Sequence, residues 1–240
     1  MPEGDSVLRT ARRLGELLTG QALTSSDFRV PQLATADLSG WVVRESAARG
    51  KHLLLRFDRE YTLHSHLRMD GSWRAYRAGE RWTGGPGHLI RVVLGVAGWA
   101  IVGYHLHELA IVPTARENDL VGHLGPDLLG SDWDASEAAR RIAARPEVPI
   151  GEALMDQRNL AGIGNIFKAE TLFRARVSPY APAGTVPDLA GLVTIAQELL
   201  SGSRQPLVYG KRICPRCRGL ISRDTLAGRV TYWCPSCQRS

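Results

Sequence analysis

The sequence predicts an α+β protein with a β-rich first half, a connection, and a helical second half ending in a small metal-stapled module. Three observations carry this. Short apolar runs separated by Gly- or charge-rich turns fill residues 21–113, the spacing of a β-sandwich or barrel. From residue 132 onward apolar residues recur at helical spacing. All four cysteines lie in the last twenty-seven residues, as Cys214-Pro215-Arg216-Cys217 and Cys234-Pro235-Ser236-Cys237.

The chain opens Met1-Pro2-Glu3-Gly4-Asp5. Without Met1, Pro2 becomes a secondary amine beside the Glu3 carboxylate. Such an amine attacks carbon at the aldehyde oxidation level to form an iminium; the plain alternative is a frayed, solvated terminus. From Asp5 to Leu18 the residues Val7, Leu8, Ala11, Leu14, Leu17 and Leu18 mark a helix, with Asp5 or Ser6 as its N-cap. Strands follow at Trp41-Val42-Val43, 52–57, 61–64, 88–94 and 99–102. Arg116-Glu117-Asn118-Asp119 and Gly125-Pro126-Asp127 read as an interdomain connection. Helices are expected over 132–144, 151–155, 165–173 and 187–200, before the cysteine segment.

The 240 residues are 44% hydrophobic and 22% charged, an ordinary globular composition. No apolar run approaches the ~18–20 residues of a membrane helix, and no signal-peptide pattern opens the chain, so a cytoplasmic protein is expected. The net charge is +6 and unevenly placed. Residues 201–240 hold eight basic side chains against the single carboxylate of Asp224, interleaved with Cys, Tyr and Trp. A basic patch confined to one segment points to a polyanion.

Two C-x-x-C knuckles sixteen residues apart supply four thiolates for one tetrahedral zinc, with Cys214, Cys217, Cys234 and Cys237 as ligands. Four thiolates leave no open position, so the metal is structural. Between the knuckles a β-hairpin is expected, with Arg229 near its tip facing phosphate. In Asp156-Gln157-Arg158-Asn159-Leu160-Ala161-Gly162-Ile163-Gly164-Asn165, a short helix runs into a glycine turn and a second helix follows. That turn is either a nest for an anionic oxygen, with Asn165 adding a donor, or a plain helical corner. Lys51, after Arg49-Gly50 and opening a strand, is placed for a phosphate or sugar carbon, or as a solvated strand-edge lysine. His64 and His66 share one strand face. A metal site there is conceivable, but no nearby Cys or third His completes one, so phosphate contact or core packing is expected. Met69, read as a hairpin tip, is suited to wedge into a base stack.

In this order, these pieces resemble the formamidopyrimidine-DNA glycosylase and endonuclease VIII family of base-excision repair enzymes. The resemblance rests on Pro2-Glu3-Gly4, Gly50-Lys51-His52, Ser65-His66-Leu67-Arg68-Met69, Leu160-Ala161-Gly162-Ile163-Gly164-Asn165 and the four-cysteine finger with Arg229. It is closest to the actinobacterial second endonuclease VIII-like proteins. It implies an N-terminal β-sandwich with flanking helices over 1–115 and a linker over 116–131. A helix–two-turn–helix domain follows over 132–202, then a zinc finger over 203–240. It also implies a bifunctional glycosylase and abasic-site lyase that flips a damaged base from DNA. Pro2 would be the nucleophile, Glu3 the acid/base group, and Lys51 a helper at the sugar and its phosphate. His66, Asn165 and Arg229 would hold phosphates, and Met69 would fill the void. The implied partner is damaged DNA. One structural zinc, no small-molecule cofactor, no membrane and a monomeric state in the bacterial cytosol complete the expectation.

Three departures qualify the resemblance. His107 and Leu109 stand where the purine-directed branch has its void-filling Arg and Phe. The stretch between Leu200 and Tyr209 is too short for that branch's capping loop, which favours oxidised pyrimidines. Met1, if retained, makes the Pro2 nitrogen an amide. A non-catalytic damaged-DNA-binding protein and an oxidised-purine glycosylase are the alternatives.

Overall fold

The computed structural model describes residues 2–202 and 205–239, so Met1, part of the 201–208 stretch and Ser240 lie outside the described residues. The chain divides into two compact units between His123 and Leu124.

The first unit holds two four-stranded sheets, every pairing antiparallel. One is ordered β1-β6-β7-β5, from β1 (Ser25–Phe28), β5 (Ser72–Arg77), β6 (Ile90–Val96) and β7 (Trp99–Tyr104). The other is ordered β2-β3-β4-β8, from β2 (Val43–Arg49), β3 (His52–Phe57), β4 (Tyr61–His66) and β8 (Glu108–Pro113). Alternation sends Leu53, Leu55 and Leu63 of one sheet and Val92, Leu94 and Ile101 of the other into one core. Strands β1, β5 and β8 are absent from the runs named from sequence, although Trp73 and Tyr76 of β5 are both buried.

Helix α1 (Gly4–Leu18) adds Val7, Ala11, Leu14 and Leu18 to this core. Its N-cap is Glu3, not Asp5 or Ser6. Ser6 acts from inside the first turn. Its Oγ accepts the Glu3 N–H at 3.0 Å and donates to the Glu3 carbonyl at 2.8 Å, so Glu3 adopts the extended cap conformation.

The outer face of the β2-β3-β4-β8 sheet is polar. Arg56 grips Glu117 through two hydrogen bonds of 2.8 and 2.7 Å, and Thr62 donates to the same carboxylate. Glu117 immediately precedes α2 (Asn118–Val121), so this grip lays the end of the unit against its own sheet. Burial alone would raise the Glu117 carboxyl; the Arg56 and Thr62 hydrogen bonds outweigh it and hold it below its ordinary value. Glu117→Gln is therefore expected to cost about 1.5–3 kcal/mol at neutral pH, measured by urea unfolding. A depressed folded-state value gives stability that is complete above the unfolded value and lost as pH falls through the folded one. The gap between wild type and variant should accordingly narrow on acidification.

The second unit packs α3 (Ala135–Ala143), α4 (Ile150–Ala153), α5 (Asn165–Ala175) and α6 (Leu189–Ser201) around Ile142, Leu154, Leu172, Val193 and Leu200. Asp134 and Asp188 start α3 and α6 by accepting first-turn N–H groups at 2.7–3.0 Å. The cysteine module follows, with the hairpin β9 (Ser222–Leu226) and β10 (Arg229–Trp233). It is fastened to α5 in two ways. Phe173 and Ala169 pack with Val208, Cys214 and Cys234. The Glu170 carboxylate accepts the N–H groups of Leu207, Val208 and Tyr209 at 2.9 Å each.

Candidate active site and nucleic-acid interface

Pro2 is half-buried and Glu3 is 2% exposed at the start of α1. Lys51 lies in the turn Gly50-Lys51 joining β2 to β3, not on the strand itself, and Gly50 takes a φ of 58° there. Register brings these groups to one end of the sheet. Ser46 of β2 donates to the Ala11 carbonyl at 2.8 Å, and Gly20, just past α1, donates to Val43. The helix and β2 thus run in opposite directions. From Ala11 back to Glu3 the helix rises about 12 Å at 1.5 Å per residue. From Ser46 forward to Arg49, the last strand residue before the Gly50-Lys51 turn, β2 advances about 10 Å at 3.3 Å per residue. Both distances lead to the same edge.

His66 ends β4 at that edge, opposite His52 of β3 on one side and Glu108 of β8 on the other. Its Nδ1 accepts the Arg68 backbone N–H at 3.0 Å, which leaves Nε2 as the protonated donor nitrogen. Burial pushes the His66 imidazole down to about 4; Glu108 opposes this, while Arg68 and Lys51 add to it. His66 is therefore a neutral N–H donor at pH 7, not a cation. Burial likewise takes His52 down to about 3 and lowers His64.

Met69 is 62% exposed. It is not at a hairpin tip, because β4 and β5 belong to different sheets and Met69 lies in the crossing between them. The crossing is tied down by Asp70, whose carboxylate meets His105 Nδ1 and, at 2.7 Å, His107 Nε2. These bonds, His107's first, hold the Asp70 carboxyl below its ordinary value. Leu109 cannot fill a void in DNA: it pairs with Ser65 within β8 and is 5% exposed in the sandwich core. His107 is exposed.

In the second unit, Asn165 is the first residue of α5, after Gly164 as N-cap, where the helix dipole favours an anion. The turn before it needs Gly162, whose φ is 101°. Gln157 braces this turn, donating to Met155 and Ile163 carbonyls at 3.0 and 3.1 Å and accepting the Gly162 N–H at 3.0 Å. Asn165 Nδ2 donates to the Val230 carbonyl at 2.7 Å, and its buried Oδ1 has no partner. That bond fixes which way the amide points, since a flipped amide would set two oxygens together. Lys168, 1% exposed, donates to Thr231 Oγ1 at 2.9 Å. Residues 165 and 168 thus stitch α5 to β10. The stitched strand begins with Arg229, exposed beside the two-residue turn Ala227-Gly228, where φ is 48° and 73° as a tight hairpin requires.

The four cysteine sulfurs lie within 4.8 Å of one another, with Cys214–Cys237 at 3.8 Å and Cys217–Cys234 at 3.5 Å. Sulfurs bound tetrahedrally at ~2.3 Å stand about 3.8 Å apart, so the set fits one structural zinc ion.

Sequence reading passed over Gln157, Lys168 and Asp70, and over His52, Glu108 and His123 as neighbours of His64. A third histidine near His64 does exist, but on the next strand. Only alternation along β3 hinted at it, since His52 shares a strand face with Arg56.

Among the described residues no helix is long and apolar enough to cross a membrane. Three family models match the chain. They are the formamidopyrimidine-DNA glycosylase N-terminal domain over residues 1–105, the formamidopyrimidine-DNA glycosylase H2TH domain over 124–201, and a zinc finger found in FPG and IleRS over 214–239. The sequence is 50% identical to a probable endonuclease 8 2 of Streptomyces coelicolor, covering 99% of this chain and 94% of that protein. It is 42% identical to a DNA-(apurinic or apyrimidinic site) lyase of Mycolicibacterium smegmatis, covering 99% of each. The fold is similar to that of Lactococcus lactis Fpg solved with abasic-site DNA, at a TM-score of 0.85 and 24% identity, covering 99% of this chain and all of that one.

Proposed function

The chain belongs to the formamidopyrimidine-DNA glycosylase and endonuclease 8 family, and on that premise we propose that it is a bifunctional DNA glycosylase and abasic-site lyase acting on oxidised pyrimidines. The observation that supports the reading is the antiparallel run of α1 and β2, which directs Pro2, buried Glu3 and the Lys51 turn toward one sheet edge. In this reading the Pro2 nitrogen, freed of Met1, bonds to C1′ of the damaged nucleotide as the bond from C1′ to the base breaks. Glu3 supplies a proton to the sugar-ring oxygen, which opens the ring and leaves an iminium. The iminium acidifies C2′. Loss of that proton expels the 3′-phosphate, a second elimination expels the 5′-phosphate, and water releases the sugar fragment from Pro2. Lys51 and the Nε2–H of His66 face the phosphates at the reacting sugar, and Met69 enters the vacated stack. Asn165 and Arg229, joined through β10, hold the backbone.

Residues 1–115 form the catalytic domain in this reading, 116–131 the linker, 132–202 the DNA-binding helices and 203–240 the finger. The preference for pyrimidines rests on the short segment between Leu200 and Tyr209. Wild type should cleave abasic duplex and process thymine glycol or 5-hydroxyuracil ahead of 8-oxoguanine in competition. Glu3→Gln should lower base excision about 10²–10⁴-fold, the range for losing a positioned acid. DNA binding with no cleavage of any such duplex by wild type would leave only a binding protein.

A further inference from the structure

The outer face of the β2-β3-β4-β8 sheet collects metal-ligating groups that the proposed reaction does not use. His52 Nδ1 and His64 Nε2 stand 2.8 Å apart. A Glu108 carboxylate oxygen completes a set of three donor atoms, all within 4.8 Å of one another. The His66 and His123 rings flank His52 edge-on, at 4.7 and 6.4 Å between centroids. Four of the chain's seven histidines therefore meet on one patch.

We propose that His52, His64 and Glu108 form a second metal site, separate from the four cysteines, that takes a divalent transition ion of the zinc class. Two imidazoles and a carboxylate are the donors such an ion prefers, and three protein ligands leave a position open. Each donor stands on a paired strand, so its Cα position is set by register and not by a loop. His52 and His64 share a hydrogen bond at 2.8 Å, whereas two nitrogens bound tetrahedrally at ~2.0 Å lie about 3.3 Å apart. An ion that replaces the shared proton therefore parts the nitrogens by about half an ångström and turns both lone pairs toward itself. Glu108 also pairs with Arg68, whose side chain is 57% exposed. The ion and the guanidinium thus compete for one carboxylate, and an exposed ion pair is the weaker claim on it.

The test is calorimetric titration of the full-length protein, its finger zinc in place, with Zn²⁺. Wild type should take up one further equivalent. His64→Gln and Glu108→Gln should each weaken that binding by at least about tenfold. Arg68→Gln should tighten it several-fold, an effect that a purely structural role for these residues does not produce. His64 is 3% exposed, so if its variant fails to fold, the partly exposed Glu108→Gln decides. The proposal is overturned if wild type takes up no further zinc or if Glu108→Gln binds it unchanged. It is equally overturned if Asp70→Asn, at the exposed Asp70–His105–His107 group, abolishes the binding instead. No DNA enters the experiment, so its failure leaves the glycosylase reading untouched.

Discussion

Protein that retains Met1 is expected to give no borohydride-trapped complex with abasic DNA, and its strand cleavage to fall roughly 10⁴–10⁶-fold, the scale of losing a covalent catalyst's nucleophile or base. The cause is electronic. Joined to Met1, the proline nitrogen's lone pair is delocalised into a planar amide and cannot attack C1′. Freed, it is an α-amine, whose ordinary value near 7.7–8.0 leaves part of it neutral at pH 7. The fold should not register the difference. The cap at Glu3 and Ser6 and the apolar stripe of Val7, Ala11, Leu14 and Leu18 hold α1 whether or not a residue precedes Pro2. Intact-mass analysis of the N-terminus, a trapping gel and a melting curve on the same samples separate chemistry from folding. Equal trapping with Met1 present would move the nucleophile elsewhere, and peptide mapping of the cross-link would show whether Lys51 carries it.

Removing zinc is expected to unfold the cysteine module and take Arg229 with it. Its other ties run outward, to α5 through Glu170, Asn165 and Lys168, and leave its own interior dependent on the metal. Its buried apolar cluster is small and shared with α5, and a two-stranded hairpin is marginal by itself. Structural zinc in such modules contributes about 10–16 kcal/mol of apparent binding free energy, which is folding free energy here. Chelation, or Cys214→Ser, should therefore abolish the protection of β9–β10 amides from hydrogen exchange. It should also weaken DNA binding more than Arg229→Ala does. The single substitution should lower the slope of log affinity against log salt by about one; the metal-free protein should lose more, because Asn165 loses the strand it is bonded to. Returning zinc to chelated protein should restore both readouts, whereas an unchanged slope without metal would separate the finger from DNA binding.

Legibility from sequence followed the range of the interaction. The two C-x-x-C knuckles, the Gly162 turn and the hairpin around Gly228 were readable because each is a short-range geometric demand. Thiolates must converge in pairs, and a positive φ calls for glycine. Met69 was misplaced on a hairpin because adjacent strands in the chain usually pair, and β4 and β5 do not. Order along the chain sets Leu109 where the purine-directed branch has its void-filling Phe. Its place in β8, opposite Ser65, turns it into the core.

By itself the sequence determined the family, the two-part α+β architecture and the four-cysteine set that fits one structural zinc, and it named the groups proposed to carry the chemistry. Those follow from residue types, short spacings and the periods of helix and strand. Tertiary structure decided which of these groups meet. His52 and His64 are partners across twelve positions of sequence, and Asn165 and Val230 across sixty-five. Strand register and the docking of β10 on α5 create those neighbours, and a shift of one residue in either strand of a pair would turn the side chains to the opposite face.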